Sequence, residues 1–102
     1  MIYVIATIEL QPGTREAFLA EFRRVVPKVK AEKGCIEYGP AVDVKTDISS
    51  QLPPRENAVT IVEKWASLTH LKAHLAEPHM AEYRKSVRPY VAKVSLQVLQ
   101  PA

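Results

Sequence analysis

The chain has 102 residues, 47% of them hydrophobic, which suits one globular domain spanning residues 1–102 with a modest core and leaves no room for a second. Fourteen Lys and Arg against eleven Asp and Glu give a formal charge of +3 without a long run of one sign, a mildly basic balance that does not by itself imply nucleic acid, and no apolar stretch approaches a membrane span. The lone cysteine, Cys35, has no intramolecular disulfide partner, and Met1 leads into strand-like sequence rather than a signal core, so a soluble cytoplasmic protein is expected.

In chain order, Ile2 to Leu10 alternates as a strand, ended by Pro12 and Gly13. Thr14 is placed to cap a helix that carries Glu16 in its first turn and Phe18, Phe22, Val25, Val26 and Val29 on one face; Pro27 predicts a bend, and Gly34 a stop. Cys35 to Val44 reads as a second strand whose Gly39 and Pro40 suggest a bulge or an edge position. Thr46 to Asn57, with Pro53 and Pro54, is a loop long enough to be functional or mobile. Ala58 to Trp65 forms a third strand. Ser67 or Thr69 then caps a second helix with Leu68, Leu71 and Leu75 on one face, bent or restarted at Pro78 before Met80 to Val87, and Ala92 to Leu99 is a fourth strand with Val94, Leu96 and Val98 on one side.

Strand, helix, strand, strand, helix, strand is the α+β, ferredoxin-like βαββαβ plan: an antiparallel four-stranded sheet with the helices on one face. The other face keeps Tyr3, Ile5, Val62 and Leu99, and pairing two such sheets in a homodimer would bury it.

His70 and His74 have the i, i+4 spacing that lets two imidazoles reach one metal, but the glutamate and third ligand of a zinc-hydrolase helix are missing and both project onto a solvated flank, so no metal is expected. On a continuous helix His79 falls near the line of Leu68 and Leu75 and faces the sheet. Trp65 shares strand parity with Val59 and Ile61, where an indole either fills core or walls a ligand site. Glu63 has the same parity, which suits a carboxylate only at a mouth, in a pair or in use, with Arg84 as a candidate partner. Tyr38 and Tyr83 offer phenol hydroxyls to a polar substrate, and Cys35 reads as a small buried hydrophobe. Phosphate loops and nucleophile elbows are absent.

Taken together, Pro12-Gly13, Glu32-Lys33-Gly34-Cys35-Ile36-Glu37-Tyr38, Glu63-Lys64-Trp65-Ala66-Ser67 and His74-Leu75-Ala76-Glu77-Pro78-His79 resemble the antibiotic biosynthesis monooxygenase family over nearly the whole chain. The resemblance implies a dimeric α+β barrel and, in each subunit, a pocket between sheet and helices. It implies oxidation of phenols or hydroquinones by O2 without flavin, metal or haem: a hydroxyl is deprotonated, the phenolate passes an electron to oxygen, and the resulting peroxide collapses to a quinone. By position it puts Trp65 at the pocket wall and His74 and His79 as the matching histidines, with His79 the expected base and Asn57 a further polar contact. Two departures stand out: the Thr46 to Asn57 loop exceeds the usual tight connection, and the first strand offers Thr7 where haem-degrading relatives use asparagine.

The resulting expectation is a cofactor-independent monooxygenase acting on a small aromatic or quinol substrate. The alternatives are a non-catalytic small-molecule binding or stress-response dimer and an isomerase of a small signalling metabolite. RNA binding on the same topology would need exposed aromatics on the central strands, and Ala58 to Lys64 has none.

Overall fold

Alternation makes β1 (Ile2–Leu10) a strand with Val4, Ala6, Ile8 and Leu10 buried on one side. In the computed structural model, which describes Met1 to Ala102, it is followed by α1 (Arg15–Lys30), β2 (Cys35–Ala41), β3 (Ala58–Trp65), α2 (Leu68–Leu75), α3 (Pro78–Val87) and β4 (Val91–Leu99). The strands form one antiparallel sheet in the order β2-β3-β1-β4, with Ala6 opposite Ile61 on β3 and Leu96 on β4. This is the ferredoxin-like α+β plan. Its core lies between the sheet and α1, whose Phe18, Leu19, Phe22, Val25 and Val29 are buried against it, each large apolar side chain contributing roughly 1.5–3 kcal/mol by leaving water.

Several boundaries differ from the sequence reading. Thr14 does not cap α1 with its side chain; its hydroxyl donates to the Gln11 carbonyl at 2.7 Å and fastens the turn in which Gly13 adopts φ +79°. Helix α1 continues through Pro27 to Lys30, and the following turn closes with Glu32 N–H donating to the Val29 carbonyl at 2.9 Å. Strand β2 stops at Ala41 rather than Val44. Its irregularity lies between Cys35 and Glu37, while Gly39 and Pro40 pair in register at the sheet edge, where the missing proline N–H costs nothing. The 42–57 connection is tied by a bidentate Arg55 to Asp43 ion pair at 2.8 and 2.9 Å, which pulls the Asp43 carboxyl down to about 2.

Two features set the space available for a site. Val94, Leu96 and Val98 face the helix side, being paired with Ile8, Ala6 and Val4, yet are 55, 48 and 43% exposed, because no helix covers that edge of the sheet. Pro78 opens α3 as its first residue, so α2 and α3 are two helices with independent phases. Within α2 itself, Leu68 and Leu75, expected on the buried face, are exposed, while Leu71 and His74 are buried. No helix is long and apolar enough to cross a membrane.

Candidate active site

The gap beside β4 is a cavity of about 450 Å³ lined by sixteen residues, twelve of them hydrophobic. Ala6, Ile8 and Ile61 form its floor from the sheet, Leu96 its open side, and Phe22 and Met80 its helical wall. Polar groups reach it as Tyr38 from β2, Glu63 from β3, His74 from α2, Tyr83 and Arg84 from α3, and Arg88 just after α3. An apolar slot with a few convergent polar groups is the usual form of a small-molecule site.

His74, placed on a solvated flank by sequence, is 1% exposed. Its ring lies 4.6 Å from that of Trp65 and edge-on to Tyr38 at 5.4 Å. Nδ1 is 3.0 and 3.1 Å from the two Glu32 carboxylate oxygens. Nε2 has no protein partner; since no enclosed side-chain nitrogen or oxygen lacks one, this atom meets the cavity its residue lines. The same reasoning puts the Tyr38 hydroxyl at the cavity. Burial pushes the Tyr38 phenol far up, reinforced by Glu63, and burial also pushes the Tyr83 phenol up against the opposing pull of Arg84. Both phenols are therefore neutral hydrogen-bond donors near neutral pH.

Trp65 is fully buried and stands behind His74 rather than in the cavity lining; its Nε1–H donates to Glu63 Oε1 at 2.9 Å. Burial pushes the Glu63 carboxyl up, opposed by that hydrogen bond and by His74. Arg84 is not its partner: the guanidinium donates to the Leu75 carbonyl at 2.8 Å and closes the end of α2. His79 does not face the sheet, because its phase follows α3 and not α2. Its Nε2 lies 2.8 Å from Glu32 Oε2, and its other side lines a polar groove between α1 and α3 with Arg24, Lys28 and Glu82. Asn57 is remote, its carbonyl accepting from Leu10 N–H at 2.8 Å, eight residues or roughly 26 Å along β3 from Trp65.

The histidine pair at 70 and 74 does not converge. His70 Nδ1 lies 2.7 Å from the Ser67 hydroxyl that caps α2, whereas His74 turns to Glu32, and nowhere do three or more His, Cys, Asp or Glu side chains form a set that could hold a metal ion. Glu32 itself was overlooked in sequence. It stands in the turn after α1, and only the packing of α2 and α3 over that turn brings it beneath two imidazoles; its place at the head of the Glu32-Lys33-Gly34 segment was the available signal.

Residues 1–86 match the antibiotic biosynthesis monooxygenase family. Over 104 aligned residues the chain is 39% identical to the probable quinol monooxygenase YgiN of Escherichia coli strain K12, covering 99% of this chain and 98% of that protein. The fold is similar to PA3566 from Pseudomonas aeruginosa, with a TM-score of 0.81 at 24% identity over 99% of this chain and 93% of that one. Rv0793 from Mycobacterium tuberculosis is similar at a TM-score of 0.80 and 24% identity, covering 99% and 94% of the two chains.

Proposed function

The chain belongs to the antibiotic biosynthesis monooxygenase family, and on that footing we propose that it oxidises a phenol or hydroquinone with O2 in the cavity beside β4, without a resident cofactor. One observation carries this reading: the His74 Nε2, unpaired in the protein, opens into a largely apolar space, walled in part by aromatic rings and large enough for a small ring system. His74 is the base. It takes the substrate hydroxyl proton on Nε2, and Tyr38 and Tyr83 supply O–H donors to the oxyanion that forms. The phenolate passes one electron to O2, the two radicals combine in a carbon–oxygen bond, and the peroxide loses water to leave a carbonyl. A hydroquinone and O2 thus give a hydroxyquinone and water, and the proton first taken by His74 leaves in that water. Trp65 and Glu63 act from behind, locking the face on which the imidazole rests.

Oxygen uptake with simple 1,4-hydroquinones in chelator-treated buffer tests the proposal. One O2 consumed per hydroquinone, well above autoxidation, and a loss of roughly 10²- to 10⁴-fold in folded His74→Ala are expected. Tight hydroquinone binding without oxygen uptake would instead make the protein a binding module.

A further inference from the structure

One buried charge remains outside the reaction as described. The Glu32 side chain is 8% exposed, and its only ion-pair partners are two imidazoles, His74 at 3.0 Å and His79 at 2.8 Å. A buried carboxylate without Lys or Arg is costly, and an apolar residue in the same turn would pack more cheaply. An ionised carboxylate only accepts hydrogen bonds, so the hydrogens on both contacts belong to the imidazoles. With hydrogen on Nδ1, neutral His74 has its lone pair on Nε2, the nitrogen that opens on the cavity. In the other tautomer the same atom would present an N–H and could not take a proton.

We infer that Glu32 is a positioning residue for the reaction, fixing His74 as the Nδ1–H tautomer and balancing the imidazolium formed when Nε2 takes the substrate proton. The inference rests on the reading of His74 as base. His79 is the brace on the other side: its Nε2–H holds Glu32 Oε2, and its Nδ1 faces Glu77 Oε2 at 3.9 Å and the groove. The only other carboxylate near His74, Glu63, has Oε1 engaged by the Trp65 indole, so Glu32 alone meets Nδ1. The result has the logic of a nucleophile–base–orienter set, in which the third group chooses the tautomer of the second.

The test uses the full chain as wild type, Glu32→Gln, Glu32→Asp and His79→Gln, with steady-state hydroquinone oxidation and ¹⁵N NMR of the imidazoles read side by side. Glu32→Gln keeps size and polarity but removes the charge; kcat should fall roughly 10²-fold or more while KM stays within about threefold, and His74 should lose its pure Nδ1–H signature. Glu32→Asp should recover part of kcat. His79→Gln still donates to Glu32, so it should leave the His74 tautomer unchanged and kcat within about tenfold of wild type. Full activity in folded Glu32→Gln, or an Nε2–H tautomer of His74 in the wild type, overturns the inference. A wild type inert toward hydroquinones overturns the monooxygenase reading instead, and the tautomer measurement still decides the role of Glu32.

Discussion

Gly34 is the position where one methyl group should disturb both fold and site. It lies at φ +83° between α1 and β2, and its carbonyl accepts Ala66 N–H at 2.8 Å, joining that turn to the start of α2. A Cβ there would fall 2.7 Å from the His70 Cβ and closer still to its ring. His70 cannot swing away freely, because its Nδ1 is bonded to the Ser67 hydroxyl that caps the helix. Two costs add in Gly34→Ala: about 1–2 kcal/mol for a left-handed alanine and about 1–3 kcal/mol for overpacking, hence about 2–5 kcal/mol in all. Urea unfolding followed by Trp65 fluorescence measures the sum, and His70→Ala, which removes the ring but leaves Cβ, separates the parts. In that background the cost of Gly34→Ala should fall by about 1 kcal/mol or more. Equal cost in both backgrounds would refute the steric account, and no cost at all would refute the turn geometry. Moving α2 outward also stretches the Glu32 to His74 contact, so any folded Gly34→Ala protein should lose turnover more steeply than substrate binding.

Glu63→Gln keeps an acceptor for the Trp65 indole while removing a buried charge, so it should raise Tm. Because burial raises the folded pKa of Glu63, its stabilising contribution is complete below about pH 4.3 and is lost as pH rises through the raised value, so the gain in Tm over wild type should grow with pH across that window. A second expected outcome is a homodimer: the sheet face away from the helices leaves Ile5 and Leu99 at 36 and 42% exposure, and light scattering at micromolar concentration should give twice the chain mass of 11.4 kDa. A monomer at that concentration would refute it.

The fold was legible where a single period governs a segment. Val4, Ala6, Ile8 and Leu10 alternate without interruption, and the Phe18, Phe22, Val25, Val29 stripe is long enough to survive Pro27. Legibility failed where two local structures share one apparent pattern. Projecting residues 68–87 on one helix carries the phase of α2 past Pro78 and turns His79 toward the sheet, whereas the restart at Pro78 turns it away; His74 is misplaced for a different reason, since taking Leu68, Leu71 and Leu75 as the buried face of α2 puts it in solvent, while the face that packs is Leu71 and His74. Trp65 and Glu63 were suspected from parity, which is a backbone property, but their mutual hydrogen bond and the engagement of Arg84 with Leu75 depend on side-chain reach. Glu32 had no periodic context at all, since a turn residue acquires its neighbours only from the element that folds over it.

The polar groups that break the pattern of the core do so at one end of the sheet, and their hydrogen bonds explain why that end can be a site. Glu63 is held by Trp65, and Glu32 by His74 and His79, so these two carboxylates are bonded within the protein. Among the groups left over are one imidazole nitrogen and the hydroxyls of Tyr38 and Tyr83, on a cavity whose other walls are largely apolar apart from Arg84 and Arg88. Groups left unpaired in such a place lower their free energy only by finding a partner that is itself mostly apolar, flat enough for the space beside Phe22, and able to give one proton and accept one hydrogen bond. A phenol or hydroquinone meets all of these conditions. An aliphatic polyol would desolvate hydroxyls the cavity cannot pair, and a plain hydrocarbon would leave His74 and Tyr38 unsatisfied. On the proposed reading, selectivity comes from what the network leaves free, and Glu32, two hydrogen bonds removed from the substrate, acts on turnover through the tautomer of His74.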